Sequence, residues 1–363
     1  MSVPKTSVSF LQVCMILLLS TGMLNHVIII PLLLQQSGRD GWLSIVMVMA
    51  LSLLWIPVIL WTIKKKGKQT LFEWLNGKTG PFVAWLVIII LVTYLLTVAF
   101  ITLKDTASWT TVSYLPHTPL FVIVITLAIL SAACALAGIR SIAICSGMLL
   151  PVVIVLGYFV MGANMQYKNY SLMFPLLENG TLPVLQGTIY GGAGMVELIM
   201  VLFLHHHMST KVNFWGMAVL AIFLGGLTIG PYIGAIANFG RDTAVSLRFP
   251  TFEQWRLVTV GKYINHVDFF SIFQWLSGAF IRISLAMFLI YDLMPFRSKG
   301  ARAAVCIISG LLLISVIQIS MSDMMFLSWL HDYYYPVVTI GILVCSGIFA
   351  LLACFSNTSK RTI

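Results

Sequence analysis

Charge is what this sequence has least of. Only 9% of its 363 residues are Asp, Glu, Lys or Arg, against 60% hydrophobic residues and a mean hydropathy of +0.99. So few polar side chains exclude a water-soluble globule of this length, whose surface would have to be covered by them. Paired cysteines are lacking as well. Cys14, Cys134, Cys145, Cys306, Cys345 and Cys354 all fall inside apolar runs without CxxC spacing. That excludes a disulfide framework and a cysteine zinc site, and leaves packing as their use. Catalytic signatures are missing too: there is no GxSxG, HExxH or GxxxxGK[ST] string and no pair of carboxylates on a shared face. An enzyme is not expected, and no cofactor motif is present.

What the chain has is long apolar runs. A helix needs about 20 apolar residues to cross the hydrocarbon core of a bilayer. Ten runs approach that length, at about residues 10–34, 42–63, 82–103, 120–139, 142–163, 184–204, 212–238, 267–290, 302–320 and 336–355. The expected fold is therefore an all-α integral membrane protein of ten transmembrane helices. The first run is too long for a signal peptide and lacks a small-residue cleavage site, so a retained helix is expected.

The 21 Lys and Arg against 11 Asp and Glu would suggest nucleic acid in a soluble protein; here they report topology. With the amino terminus inside, the cytoplasmic face receives Lys5, Lys64, Lys65, Lys66, Lys68, Lys78, Arg140, Lys211, Arg297, Lys299, Arg302, Lys360 and Arg361. The opposite face receives Arg39, Lys104, Lys168, Arg241, Arg248, Arg256 and Lys262. The bias predicts both termini in the cytoplasm. Five helices on either side of a longer connection at about 164–183 predict a five-plus-five inverted repeat, over 10–163 and 184–355, within one polytopic domain of residues 1–363. The outer connection at about 239–266 carries Phe249, Pro250, Phe252 and Trp255 and reads as a short amphipathic helix in the interface or a plain loop.

Two runs are interrupted. In the first, Gly22, Asn25, His26 and Pro31 lie within ten residues and weaken the helical ladder. In the sixth, Tyr190 leads into Gly191, Gly192 and Gly194, with Glu197 following. Three glycines in four residues permit unwinding, and a restarted helix would offer amides to an anionic group. Small residues also serve close helix packing. Matched breaks in the first helix of each half favour a ligand site between them. Glu197 and Arg282 are ionisable residues inside apolar runs, candidates for function or for a structural pair. Tyr94 and Gln274 add polar groups from the third and eighth helices. Gly226, Gly230 and Gly234 are read as a helix-crossing stripe. In His205, His206 and His207, consecutive helical residues point about 100° apart, so no metal site is expected there.

The strings NHVIIIPLLLQQSGRDGWLSI (Asn25 to Ile45), PLLENGTLPVLQGTIY (Pro175 to Tyr190) and FPTFEQWRLVTVGKYINHVDFFSIFQWLSGAFIRISL (Phe249 to Leu285), with the basic loop before LFEWL, resemble the B subunit of bacterial spore germinant receptors. The similarity spans about residues 5 to 355. It implies an endospore inner-membrane protein of the amino acid-polyamine-organocation transporter superfamily, assembled with an A subunit and a lipoprotein C subunit to sense nutrients and trigger germination. The resemblance further implies a pocket between helices one and six, flanked by three and eight. Superfamily members often carry a glycine-rich break in helix one that cups an amino-acid carboxylate; here Leu24, Asn25 and His26 stand in that region. A sugar or a nucleoside is thus as admissible as an amino acid. A secondary transporter, proton-coupled through Glu197 or His26, and a scaffold whose ligand site lies on another subunit are the alternatives.

Overall fold

The computed structural model describes residues 7–259, 266–296, 298–319 and 321–355. Lys5, Lys262, Arg297, Lys360 and Arg361, counted above for topology, lie outside them. Among the described residues the secondary structure is helical, apart from one isolated bridge between Val8 and Met208.

In chain order the α-helices are α1 (Phe10–Met23), α2 (Ile29–Ser37), α3 (Gly41–Lys66), α4 (Leu71–Thr79), α5 (Pro81–Ser113), α6 (Leu120–Leu136), α7 (Ile139–Ala163) and α8 (Leu182–Met195). They continue as α9 (Met200–Leu204), α10 (Phe214–Ser246), α11 (Pro250–Arg256), α12 (Phe270–Leu293), α13 (Lys299–Ile317), α14 (Asp323–Trp329) and α15 (Tyr335–Cys354). Short π or 3-10 turns join some of them into continuous rods. Among the described residues nine helices or rods are long and apolar enough to cross a membrane. The tenth expected span is the 17-residue apolar helix α6, shorter than the other nine.

Local chemistry sets the helix ends. Ser9 and Thr70 start α1 and α4 as capping boxes with Gln12 and Glu73, each pair satisfying two amides that have no partner inside the helix. Asn213, Ser298 and Ser322 cap α10, α13 and α14 through their side-chain oxygens. Gly67 ends α3 at φ 64°, a left-handed turn that a side chain would strain.

Burial sorts the rods into a centre and a shell. The most apolar window of Phe10–Ser37 is 83% buried, and those of Leu182–His207 and Phe270–Leu293 are each 89% buried. The corresponding values for Ile139–Tyr167, Lys299–Ile317 and Asp323–Cys354 are 22%, 28% and 28%. Spans one, six and eight therefore form the core, and the outer rods turn side chains such as Leu54, Val155, Ile308 and Leu351 outward. For orientation, the end carrying Lys64 to Lys68 is termed the lysine end.

Some glycines act here by admitting a neighbour. The α2–α3 hairpin seats on α8 at Gly187, where Ser37 Oγ donates to the Pro183 carbonyl at 2.8 Å and Ser44 Oγ to the Val184 carbonyl at 2.7 Å. The Gly226, Gly230 and Gly234 stripe does not behave as a crossing: Gly226 and Gly230 face open space, and Gly234 admits Gln254. Four-residue spacing marks one face, and here the neighbouring helix is met through Gly225, against Met49, one position away.

A side chain at position 187 would displace both serine hydroxyls. Gly187→Val should lower stability by about 1–3 kcal/mol, read as a fall in melting temperature of the protein in detergent; an unchanged midpoint would contradict this seating of the hairpin.

Candidate functional site

Helix one is not interrupted as expected: it stays helical from Phe10 to Ser37 and only widens locally, near a proline rather than a glycine. Between α1 and α2 lies a π-helical turn, Leu24–Ile28, in which the Ile29 amide bonds back to the Leu24 carbonyl. Pro31 has no N–H to return to this turn. The His26 carbonyl accepts from Thr251 Oγ1 of α11 at 2.7 Å. The side chains of the turn also find backbone partners. Asn25 Nδ2 donates to the Leu224 carbonyl at 3.2 Å, and His26 Nδ1 lies 3.2 Å from the Leu227 carbonyl. A carbonyl only accepts, so His26 carries its proton on Nδ1. Leu227 is available because residue 231, four positions on, is Pro231. One proline follows the widened turn of helix one, and another leaves free the acceptor that holds that turn.

Helix six departs from expectation. Gly191, Gly192 and Gly194 lie within α8 and remain helical, and the Val196 amide still bonds the Gly192 carbonyl. Their amides are thus committed to the helix rather than offered to an anion. A Cβ at Gly194 would fall on the Asn25 amide group, and one at Gly192 would lie 3.2 Å from Thr339. These glycines exist for close approach, which restrains unwinding because the neighbours grip the helix. The change of geometry comes later, as a 3-10 turn at Val196–Ile199 that contains Glu197.

Glu197 meets Arg282 of α12 in a bidentate pair, with Nη1 2.7 Å from Oε2 and Nη2 2.5 Å from Oε1. Both side chains are buried, at 2% and 3% exposure. The remaining hydrogen-bonding capacity is taken up from other helices. Thr21 Oγ1 donates to Oε2 at 2.7 Å and Tyr94 OH to Oε1 at 3.5 Å. Arg282 also donates from Nε to Thr102 Oγ1 and from Nη1 to the Ser20 carbonyl, each at 3.1 Å.

Of the other residues singled out from sequence, Gly22 is buried against Leu227 of α10 and lies beside the site. Tyr190 is turned to the last rod, where its hydroxyl donates to the His331 carbonyl at 3.1 Å and its ring stacks on His331. Gln274 does not join: its amide donates to the Val153 carbonyl and its oxygen accepts from Trp255.

Of the 239–266 connection, residues 260–265 lie outside the described residues, and the described helix α11 packs inward. In α11, Pro250, Thr251, Phe252, Gln254 and Trp255 are all buried. Phe252 meets Trp109 edge to face, Trp109 stacks on Trp275 at 4.0 Å, and Phe249 closes on Trp275. Aromatic surface that suits a membrane interface is here used as a plug over the widened turn of helix one. On the same side, a cavity of about 430 Å³ is lined by Gln35, Gln36, Ser37, Asn179, Arg241 and Asp242 among others.

Sequence reasoning missed two charged clusters. Ending span three at about 103 put Lys104 and Asp105 in a loop, but α5 continues to Ser113 and buries both. Asp105 pairs with Arg248, and Lys104 Nζ donates to the Met321 carbonyl at 3.2 Å. The absence of Gly and Pro between residues 82 and 115 was the available signal. The histidine run is the second correction. Helix six tightens to a 3-10 turn at His205–His207 and becomes extended at Met208. His206 and His207 Nε2 nevertheless both reach Asp292 Oδ2, at 3.2 and 2.9 Å.

A family model described as spore germination protein matches residues 5–324. The chain is 41% identical over 354 residues to spore germination protein XB of Bacillus anthracis, covering 98% of this chain and 99% of that protein. It is 22% identical over 264 residues to spore germination protein KB of Bacillus subtilis strain 168, covering 70% and 69% of the two chains. Spore germination protein A2 of the same organism is also 22% identical, over 248 residues and 68% of each chain.

Glu197→Gln would leave a buried guanidinium without its counter-charge and should destabilise the protein by about 3–5 kcal/mol. Replacing both partners, as E197L with R282M, should recover most of that loss. Melting temperatures of the single and double variants in detergent check this; additive losses in the double variant would contradict it.

Proposed function

The chain belongs to the spore germination protein family, and on that premise we propose that it is the nutrient-sensing membrane subunit of a spore germinant receptor. In this reading it lies in the spore inner membrane with both termini in the cytoplasm. It acts with an A subunit and a lipoprotein C subunit, and it carries out no catalytic step. The nine rods together with α6 form two inverted five-helix halves in this reading. A small polar germinant enters from the end opposite the lysines, through the cavity beside Gln36 and Arg241, and binds where helix one widens.

The observation that carries the reading is the filled centre. Asn25 occupies the notch of Gly194 and is held by the Leu224 carbonyl, while Thr251 of the plug is held by the His26 carbonyl. A ligand with polar edges can take over these hydrogen bonds, displace Asn25 and release α11 in one event. Gly22, Asn25, His26, Tyr94, Gly192, Gly194 and Glu197 surround that position in the proposal. Tyr190 and Gln274, engaged elsewhere, leave the proposed contact set. The ligand then biases the bundle by its differential affinity for two arrangements, which partner subunits read.

Proton-coupled transport through Glu197 is the weaker reading. Both oxygens of the Glu197 carboxylate are already engaged, by Arg282, Thr21 and Tyr94, which leaves none free to face a transport path.

Dipicolinic acid release should distinguish these outcomes. Spores lacking this gene should fail to respond to at least one nutrient in a panel of amino acids, sugars and nucleosides. Asn25→Ala should change the effective concentration of that nutrient by about tenfold, corresponding to one or two hydrogen bonds. An unaltered panel in the deletion strain would overturn the sensory role, and an unaltered response in Asn25→Ala the assigned position.

A further inference from the structure

We propose that His206, His207 and Asp292 form a binding site for a divalent transition-metal ion at the lysine end of the bundle. Among the described residues they are the one group of three His, Cys, Asp or Glu side chains whose ligand atoms all lie within 4.8 Å of one another. The Nε2 atoms of His206 and His207 are 3.2 and 2.9 Å from Asp292 Oδ2. Tetrahedral zinc holds nitrogen and oxygen ligands at about 2.0–2.2 Å, which sets ligand atoms roughly 3.3 Å apart. The two histidine-to-carboxylate separations are therefore within a few tenths of an ångström of that spacing, and the two imidazole nitrogens lie within 4.8 Å of each other.

The donor set limits the ion. Two imidazoles and one carboxylate suit zinc, nickel, cobalt or copper, whereas magnesium and calcium prefer oxygen throughout. Three protein ligands leave a fourth position for water. Asp292 is nearly buried and supplies negative charge, while His206 and His207 are partly open and give access. The neighbouring cations are spent on the loop: Lys66 Nζ donates to the Gln69 carbonyl, and Lys68 Nζ to the carbonyls of His205 and Met208. His205 is turned away, with Nδ1 3.0 Å from the Gly67 carbonyl.

The position gives such an ion a mechanical role. His206 and His207 end helix six and Asp292 ends α12. The His207 carbonyl accepts from the Val8 amide at 3.0 Å, and the Ser209 amide donates to the Val8 carbonyl at 2.8 Å. An ion here cross-links the ends of helices six and eight beside the start of helix one. It therefore opposes any separation of the three core rods at the lysine end.

The test uses the full-length chain in detergent, with any affinity tag removed, titrated with zinc chloride against a chromophoric chelator. One equivalent should bind and raise the melting temperature. The H206Q/H207Q variant should weaken binding by more than the roughly 10–100-fold that loss of an outer partner costs a metal site. H205A, outside the cluster, should bind normally. Cobalt(II) should give the visible absorption of a four-coordinate site, lost in H206Q/H207Q. Glutamine preserves polarity and approximate size, so this variant carries the test even if Asp292→Asn does not fold. Binding of less than one equivalent, equal binding by H206Q/H207Q, or equal loss in H205A would overturn the proposal.

Discussion

A guanidinium and a carboxylate withdrawn from water each lose several kcal/mol of solvation, and the core of this protein is organised around meeting that cost at Arg282 and Glu197. The two form a bidentate pair, and helix one and α5 supply the rest of the hydrogen bonding through Ser20, Thr21, Tyr94 and Thr102. These contacts need close helix crossings. At Gly278 of α12, one turn before Arg282, a Cβ would stand 2.8 Å from the Met23 Cβ and 3.3 Å from the Leu19 carbonyl. The small residue lets α12 lie against α1, and the arginine then reaches the Ser20 carbonyl. Burial of spans one, six and eight follows from the same constraint, since a charge pair facing lipid would be unsupported.

A second constraint is that backbone groups inside a bilayer have no water to turn to. Pro31 and Pro231 each remove a donor, and the structure joins the two defects. The Leu227 carbonyl faces His26, and Thr251 from the plug meets the His26 carbonyl. The irregular turn is consequently held by α10 on one side and α11 on the other. Any rearrangement of the π-turn is coupled by hydrogen bonds to the segment that covers it.

The legible part of this fold was that governed by composition and long-range periodicity. Nine of ten spans follow from apolar run length, and the place where helix one is irregular follows from Asn25, His26 and Pro31 within a few residues, although it is a π-turn in a continuous helix and not a break. Less legible was anything that depended on what a residue meets. Glycine has two uses, conformational freedom and absence of a side chain, and the string at 191–194 does not say which applies; Asn25 in the notch of Gly194 decides for the second. Lys104 and Asp105 read as a loop because charge ordinarily ends a span, yet Arg248 and the Met321 carbonyl, distant in sequence, make their burial possible. The histidines were misjudged because direction along the helix was weighed alone, whereas their long side chains both reach Asp292, a partner distant in sequence.

The placement of these features bears on how a small ligand could move a bundle of this size. Shifting a two-state equilibrium from 1:99 to 99:1 requires a differential affinity of about 5.5 kcal/mol. A few polar contacts, each worth about 1 kcal/mol net, approach that figure only if most are made in one state alone. In the proposed reading Asn25 provides that asymmetry. Its amide fills the Gly194 notch and holds the Leu224 carbonyl, so a ligand at that point gains full contact only after Asn25 has left. The Thr251 contact of the plug and the His26 turn then change together, because they share one carbonyl. In the same reading the charge pair one turn of helix away stays joined by its bidentate geometry, so that movement at the π-turn passes along α1 and α12 as rods instead of being absorbed locally.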